Sequence, residues 1–323
     1  MILSANQCTA LMQFSNEVKN PRKRSQMKPM LKQLANTSLL MLSMLSLCSC
    51  SIQNQLLRQA GNALASETQA QEEDLEFTQH ASAYHLKLSE SVLEKIPDHL
   101  PLAESVTRGF AQYAYAFMLD EADRTQATDS KRANVLRIRA AKMFTRAKDH
   151  GLRALEMAVP GFKNALHQND SMLPPLLNNS LTGITYWTVA SWAGAISLSK
   201  DQPELVADFP VLLKLADQAW QIQPGYGDGA LASLMGTLEL SRPGGSSQKA
   251  LAYFDSAIAL SPAMPSAYLA KAENWAVTVG NRDAFVELLK KAIENGRKNT
   301  NLTSSIMLRR AEWLLSCVDD FFN

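Results

Sequence analysis

Apolar residues recur at helical spacing from residue 53 to the C-terminus, and runs of β-branched residues are few. Apolar positions three and four residues apart predict amphipathic helices with one buried face. Ser, Asn or Pro stands at many predicted helix starts and Gly or Pro at the ends, the usual asymmetry of helix boundaries. The pattern predicts an all-α fold with helices at 53–65, 75–96, 102–121, 133–157, 182–198, 210–222, 229–240, 247–262, 265–280, 281–296 and 302–318. It predicts a loop at 167–179 and a charged region at 120–130 that is loop-like, with partial helix as the alternative.

A second pattern repeats within these helices. Ala250, Phe254 and Ala257 are a small, a large and a small apolar residue four and three apart, and Pro262 follows five residues later. Related triplets at 140–147, 212–219 and 285–292 return at intervals of 35, 38 or 72 residues, close to one or two tetratricopeptide periods. We therefore expect a helix-pair repeat array of degenerate tetratricopeptide-like units, each burying its apolar face on its neighbours. A helical bundle without repeats is the alternative. Close helix packing is expected at Gly109, Gly194 and Gly236.

The segment "LLMLSMLSLCSCSIQNQ", residues 39–55, ends an apolar run with two cysteines. Lys28 and Lys32 precede a run much shorter than the roughly 20 residues of a transmembrane helix, which is typical of a secretory signal. The tetrad 47–50 resembles the bacterial lipobox, with Leu47 at −3, a small residue at −1 and Cys50 at +1. Cys48 fits badly, because Leu47 would then occupy the −1 position. The sequence predicts lipidation of Cys50; a buried helix with two packed thiols is the alternative.

Signal-peptide length sets the expected domain boundaries. A signal of about 15–30 residues fits 27–49, whereas 1–49 is too long. Residues 1–26 are therefore expected to be a mis-assigned translation start or an unstructured extension, with translation starting at Met27 or Met30. Residues 50–70 would form a lipid-anchored segment, and 71–323 the helical domain.

Charge and cysteine content exclude several function classes. The chain has a net charge of +1, and residues 1–49 carry six basic side chains and one acidic, so the part from Cys50 onward is near −4. That balance makes nucleic acid an unexpected partner. Of the four cysteines, only Cys317 would remain a free thiol after processing. Neither a disulfide framework nor a cysteine metal site is expected.

The sequence contains no motif typical of catalysis. The five histidines show no metal-binding spacing, and "GYGDG" at 225–229 follows a helix and a proline rather than a strand, so it is interpreted as a connector between repeats. We expect no enzyme activity, cofactor or metal. The candidate site is the helix around Tyr186, Trp187 and Trp192, whose aromatic rings would contribute to an apolar ligand cavity. Packing of these rings in the core is the alternative.

Several longer strings carry a family resemblance. They occur in the order "LKLSESVLEKIPDH", "AYAFMLDEADR", "FTRAKDHGLRALE", "PGF", "TYWTVASWAGAISLSKDQPELV", "GYGDGAL", "YFDSAIALSP", "NRDAFVELLKKAI" and "WLLSCVDDFF". Together with the lipobox, they resemble the T component of tripartite ATP-independent periplasmic (TRAP) transporters from about residue 48 to the end. The likeness is greatest at 145–156 and 185–205.

The resemblance implies a periplasm-facing lipoprotein that forms a homotrimer, with an apolar cavity in each protomer opening toward a central pore. It also implies a hydrophobic small-molecule ligand and pairing with a periplasmic TRAP substrate-binding protein. Ser51 after the modified cysteine favours the outer over the inner membrane. A scaffold lipoprotein for envelope or peptidoglycan machinery is the alternative function.

We expect Cys50→Ala to abolish lipid attachment, because the thiol at this position is the acyl acceptor that would anchor the chain. Incorporation of labelled palmitate measures the effect. Cys48→Ala is the matched control and should retain the label. Label on the Cys50→Ala protein would contradict the assignment.

Overall fold

A computed structural model describes residues 53–66, 74–167, 178–299 and 301–322. The chain divides into two compact units, 1–57 and 58–323, and nearly all described residues belong to the second. The predicted extension 1–26, the signal peptide 27–49 and Cys50 lie outside the described residues.

Every regular element in the described ranges is helical, so the predicted all-α fold is confirmed. Whether the helices form tetratricopeptide-like repeats stays a prediction. The helices up to residue 198 are α1 (53–65), α2 (Leu75–Leu93), α3 (Leu100–Tyr113), α4 (Asp120–Thr125), α5 (Ser130–Ala158), α6 (Phe162–His167) and α7 (Thr182–Leu198). A π-helical segment, Ala114–Leu119, joins α3 to α4.

The second half of the chain continues in the same way. Its helices are α8 (Pro203–Ala207), α9 (Phe209–Ile222), α10 (Ala230–Ser241), α11 (Ser247–Leu260), α12 (Pro265–Ala270), α13 (Arg282–Lys298) and α14 (Leu302–Ser316). A second π-helical segment, Lys271–Ala276, follows α12, and a 3₁₀ turn, Val318–Phe321, follows α14.

Polar side chains fix several of the helix starts. Asp74 accepts hydrogen bonds from two backbone amides of the first turn of α2, and Asn281 accepts one from Ala284 at the start of α13. Such caps satisfy amides that have no partner within the helix. Asn281 is the cap that the sequence predicts. The predicted cap of α11, Ser247, is wrong by one residue: the side chain of Ser246 accepts the hydrogen bond from Lys249.

Two other sequence expectations can be compared with the structure. The region 120–130, expected to be loop-like or partly helical, is helical up to Thr125, where α4 continues the preceding helix. The predicted helices 102–121 and 265–280 are not uniform α-helices, since each contains a π-helical segment. Most of the predicted loop at 167–179 lies outside the described residues.

The small–large–small triplets form the buried side of their helices. All twelve positions are buried, and every one except Phe144 is completely inaccessible to solvent. They are Ala140, Phe144, Ala147, Leu212, Ala216, Ala219, Ala250, Phe254, Ala257, Phe285, Leu289 and Ala292. The triplet pattern therefore identifies the core-facing stripe of α5, α9, α11 and α13.

Glycines allow the closest helix contacts. A Cβ atom on Gly194 of α7 would lie 2.8 Å from the ring of Phe144 in α5, and one on Gly236 of α10 would lie 2.8 Å from Phe254 in α11. A Cβ atom on Gly109 of α3 would lie 2.9 Å from Cδ1 of Leu86 in α2. These distances are shorter than van der Waals contact, so a side chain at Gly194 or Gly236 would collide with a packed ring, whereas one at Gly109 would have to displace the end of the Leu86 side chain. All three glycines that the sequence singles out are thus at close helix contacts.

A buried carboxylate joins α2 to α5. Glu90 accepts hydrogen bonds from Lys87 and from Arg146, and His150 Nε2 lies 2.8 Å from Glu90 Oε1. Burial acts to raise the pKa of Glu90, but the hydrogen bonds from Arg146, Lys87 and His150 outweigh it and lower the pKa to about 2. The rings of His150 and Phe110 are stacked 5.8 Å apart, so α3 packs on the same cluster.

Within the described residues, none of the helices combines the length and the apolar character that a membrane-spanning segment requires.

We expect Ala257→Phe to lower the free energy of unfolding by about 1–3 kcal/mol, because the larger ring overpacks a closed seam. Ala257 is fully buried, and its carbonyl oxygen lies 2.7 Å from where a Cβ on Gly229 would be. Urea denaturation measures the change. Ala252→Phe on the exposed side of α11 is the matched control. Equal stability of the two variants would contradict this packing.

Candidate functional site

Two of the three predicted site residues belong to one half-buried aromatic group. Tyr186 and Trp187 are consecutive residues of α7, and their rings meet edge-on with centroids 4.9 Å apart. The ring of Tyr226 lies 5.3 Å from that of Tyr186, and its hydroxyl donates a hydrogen bond to Glu104 of α3 at 3.4 Å. We call Tyr186, Trp187, Tyr226 and Glu104 the aromatic group. It combines three rings with a carboxylate at its edge.

The connection between α9 and α10 positions Tyr226. Gly227, Asp228 and Gly229 all have positive φ angles of 62°, 51° and 91°, in the left-handed region that favours glycine. The segment "GYGDG" therefore makes a tight turn between two helices, as the sequence predicts, and it also contributes a ring to the candidate site. That contribution was missed because nothing local to the segment indicates that Tyr226 meets Tyr186.

A glycine on α7 admits the carboxylate of the group. Any Cβ atom on Gly183 would overlap the carboxylate of Glu104. Close approach of Glu104 to α7 therefore depends on the absence of a side chain at this position. The result is an acceptor beside aromatic rings, a combination typical of sites that bind mostly apolar ligands with one polar end.

The phenols of the group are held in the neutral form. Burial raises the pKa of Tyr186 to about 12. Burial also raises the pKa of Tyr226, and the negative charge of Glu104 adds to the effect. Both hydroxyls can therefore donate hydrogen bonds at neutral pH but cannot act as bases.

Trp192, the third predicted residue, lies apart from the aromatic group. Its side chain is 1% exposed, and no ring contact joins it to another described aromatic residue. The ammonium nitrogen of Lys148 in α5 lies 5.6 Å from the centre of its ring. The indole nitrogen of Trp192 has no hydrogen-bond partner among the described residues. The structure thus brings Tyr186 and Trp187 together and does not bring Trp192 to them.

A cleft of about 420 Å³ lies elsewhere in the molecule. None of the three predicted residues lines it. Its wall combines aromatic rings with charged side chains from α4, α5, the second π-helical segment and α14. The lining residues are Asp123, Gln126, Ala127, Arg137, Glu273, Phe285, Arg310, Trp313, Leu314, Cys317, Asp320 and Phe321.

Arg310 organises the charged side of this cleft. Its Nε donates to Glu273 at 2.6 Å, and its two terminal nitrogens donate to Asp123 at 3.0 Å and to Asp120 at 3.4 Å. Burial acts to lower the pKa of Arg310, but its neighbours, Glu273 first among them, together outweigh burial and raise the pKa, so the guanidinium stays charged. All three of its nitrogens are therefore engaged by carboxylates of the protein itself.

Both π-helical segments contribute to this cluster. Tyr115 lies in the first and Glu273 in the second, and the Tyr115 hydroxyl donates to Glu273 at 3.2 Å. Segments of π-helix are rare and occur frequently at functional sites. No local sequence pattern indicates this cluster, because its members are up to 190 residues apart.

Neither location has an arrangement typical of catalysis. No group of three or more His, Cys, Asp or Glu side chains in the described part of the chain is placed to hold a metal ion. Two acids of the cleft, Asp123 and Glu273, form ion pairs with arginines of the protein: Asp123 with Arg137 and Arg310, and Glu273 with Arg310.

A family model described as "TRAP transporter T-component" matches residues 71–322. A search of the curated proteins finds no match.

We expect Arg310→Met to lower the free energy of unfolding by about 3–5 kcal/mol, because it leaves the largely buried carboxylate of Glu273 without its cationic partner. Arg282→Met is the matched control, since Arg282 pairs with Asp319 at the exposed surface and such pairs contribute about 1 kcal/mol or less. Chemical denaturation of both variants measures the difference. Similar losses would show that the Arg310 cluster contributes no more than a surface pair.

Proposed function

The chain belongs to the TRAP transporter T-component family, and on that premise we propose that it binds a hydrophobic small molecule and pairs with a periplasmic TRAP substrate-binding protein. Membership makes it an accessory component of TRAP transport, associated with the cell envelope. T-components are not a known class of enzyme. The function is therefore the holding or transfer of a solute rather than its conversion.

The aromatic group is the observation that carries the ligand proposal. Tyr186 and Trp187 are only half-buried although each has a large apolar surface, and burying an aromatic side chain removes about 150–250 Å² from water. A ligand with an apolar body would cover these rings. The hydroxyl of Tyr226 and the carboxylate of Glu104 would face a polar end. Trp192 would support the site from within the core.

Attachment and assembly complete the proposal. Cys50 would carry the lipid that holds the chain at the membrane, with the helical domain facing the periplasm and the outer membrane favoured. The chain would assemble as a homotrimer. The lipobox-like tetrad and the family support this arrangement.

We expect Trp187→Phe to lower the occupancy of a co-purifying apolar ligand without changing the melting temperature, because phenylalanine retains most of the packing but loses contact area. Trp192→Phe should lower occupancy less, since this ring is 1% exposed. Native mass spectrometry of the protein, purified as the cell processes it, reports both ligand occupancy and the number of copies in the assembly.

Trp220→Phe is the matched control, because Trp220 is also half-buried but packs on Tyr253 and not on the aromatic group. If Trp187→Phe and Trp192→Phe both retain the ligand at the occupancy of the wild type and of the control, Trp187 and Trp192 are structural residues. If the wild type retains no ligand and no substrate-binding protein co-purifies, the scaffold function replaces the transport function.

A further inference from the structure

The first two-thirds of α5 is strongly basic. Residues 130–148 contain seven Lys or Arg and no acidic residue. Four of the seven pair with carboxylates of the protein, in the pairs Arg132–Glu121, Arg137–Asp123, Arg146–Glu90 and Lys148–Asp149. The remaining three, Lys131, Arg139 and Lys142, form no ion pair with a described residue. The fold thus neutralises part of this charge and leaves the rest on the surface.

These three cations surround an exposed apolar centre. Lys131, Val135, Ile138 and Lys142 are four, three and four residues apart, so they lie along one side of the helix, with Arg139 beside them. Val135 is 54% exposed and Ile138 is 49% exposed. We call these five residues the outer stripe of α5. The opposite side of the helix is the buried one, with Ala133, Leu136, Ala140, Phe144 and Ala147.

The outer stripe has the composition of a contact surface rather than of a merely solvated face. Two branched apolar side chains are left exposed although the other side of the helix already supplies the core. An apolar centre with a charged rim is the usual anatomy of a protein–protein interface. The chain from Cys50 onward is near −4, so the stripe is a local positive region on a net acidic protein.

We propose that the outer stripe of α5 is a docking surface for a protein whose contact face has an apolar centre and an acidic rim. This inference rests on the proposed function, according to which the partner is the periplasmic substrate-binding protein. The stripe extends about 16 Å along the helix, so the contact belongs to the small, transient class of interfaces. A transient contact suits a partner that must leave after each transfer.

A membrane surface fits the stripe less well. Side chains that anchor proteins at the lipid interface are mainly Trp and Tyr, and the outer stripe contains neither.

The test measures binding of the full-length chain to the purified substrate-binding protein of the same TRAP system by biolayer interferometry. We expect the double variant Arg139→Glu/Lys142→Glu to bind about tenfold more weakly or worse, mainly through slower association, because charge complementarity accelerates encounter. Raising the salt concentration should weaken the wild-type complex and reduce the difference in affinity between the wild type and the double variant. Ile138→Gln should weaken binding through a faster dissociation rate.

Lys200→Glu is the matched control, since Lys200 is exposed in the turn after α7 and forms no ion pair with a described residue. It should bind like the wild type. Thermal melts should be unchanged, because the substituted side chains are all on the surface.

Wild-type affinity in the double variant would overturn the inference and leave the proposed function intact. If the wild type does not bind the substrate-binding protein at all, both the docking inference and the proposed function are wrong. If it instead binds vesicles of anionic phospholipid and the double variant does not, the outer stripe is a membrane-contact surface and the docking inference is wrong.

Discussion

One guanidinium, that of Arg310, holds together parts of the chain that are far apart in sequence. It binds Asp120 and Asp123 of α4 and Glu273 of the second π-helical segment, while belonging itself to the last long helix. In a buried setting each of these carboxylates alone would be costly, so their positions and that of Arg310 depend on one another. The cleft beside them exists because this cluster fixes α14 against α4 and the π-helical segment.

The close contacts at glycines are a second constraint that ties together helices distant in sequence. Gly194 and Gly236 let aromatic rings of the next helix layer approach within van der Waals distance, and Gly183 does the same for the carboxylate of Glu104. A polar group at the edge of the aromatic group is thus a result of backbone packing. Glycines thus serve both the helix packing, at Gly194 and Gly236, and the candidate site, at Gly183.

Sequence patterns predicted the local structure well and the long-range pairings poorly. Helix positions followed from periodicity and caps, and the small–large–small triplets identified the buried stripes, because both are properties of neighbouring residues. The π-helical segments were missed, since their hydrogen bonds have no local signature. The spacing of Trp187 and Trp192 indicated only that the two rings diverge around α7. Trp187 is half-buried and Trp192 is buried, and neither this difference nor the contact of Tyr226 with Tyr186 has a local signature in the sequence.

The π-helical segment 114–119 also sets the rotational phase of α4. Each residue of an α-helix advances by about 100° around the axis, so a turn that accommodates one extra residue rotates all later side chains by that angle. Asp120 and Asp123 come directly after this segment. A chain shortened by one residue there would continue as a plain α-helix and would turn both carboxylates away from Arg310. The ion cluster is therefore a property of residue count as much as of residue identity.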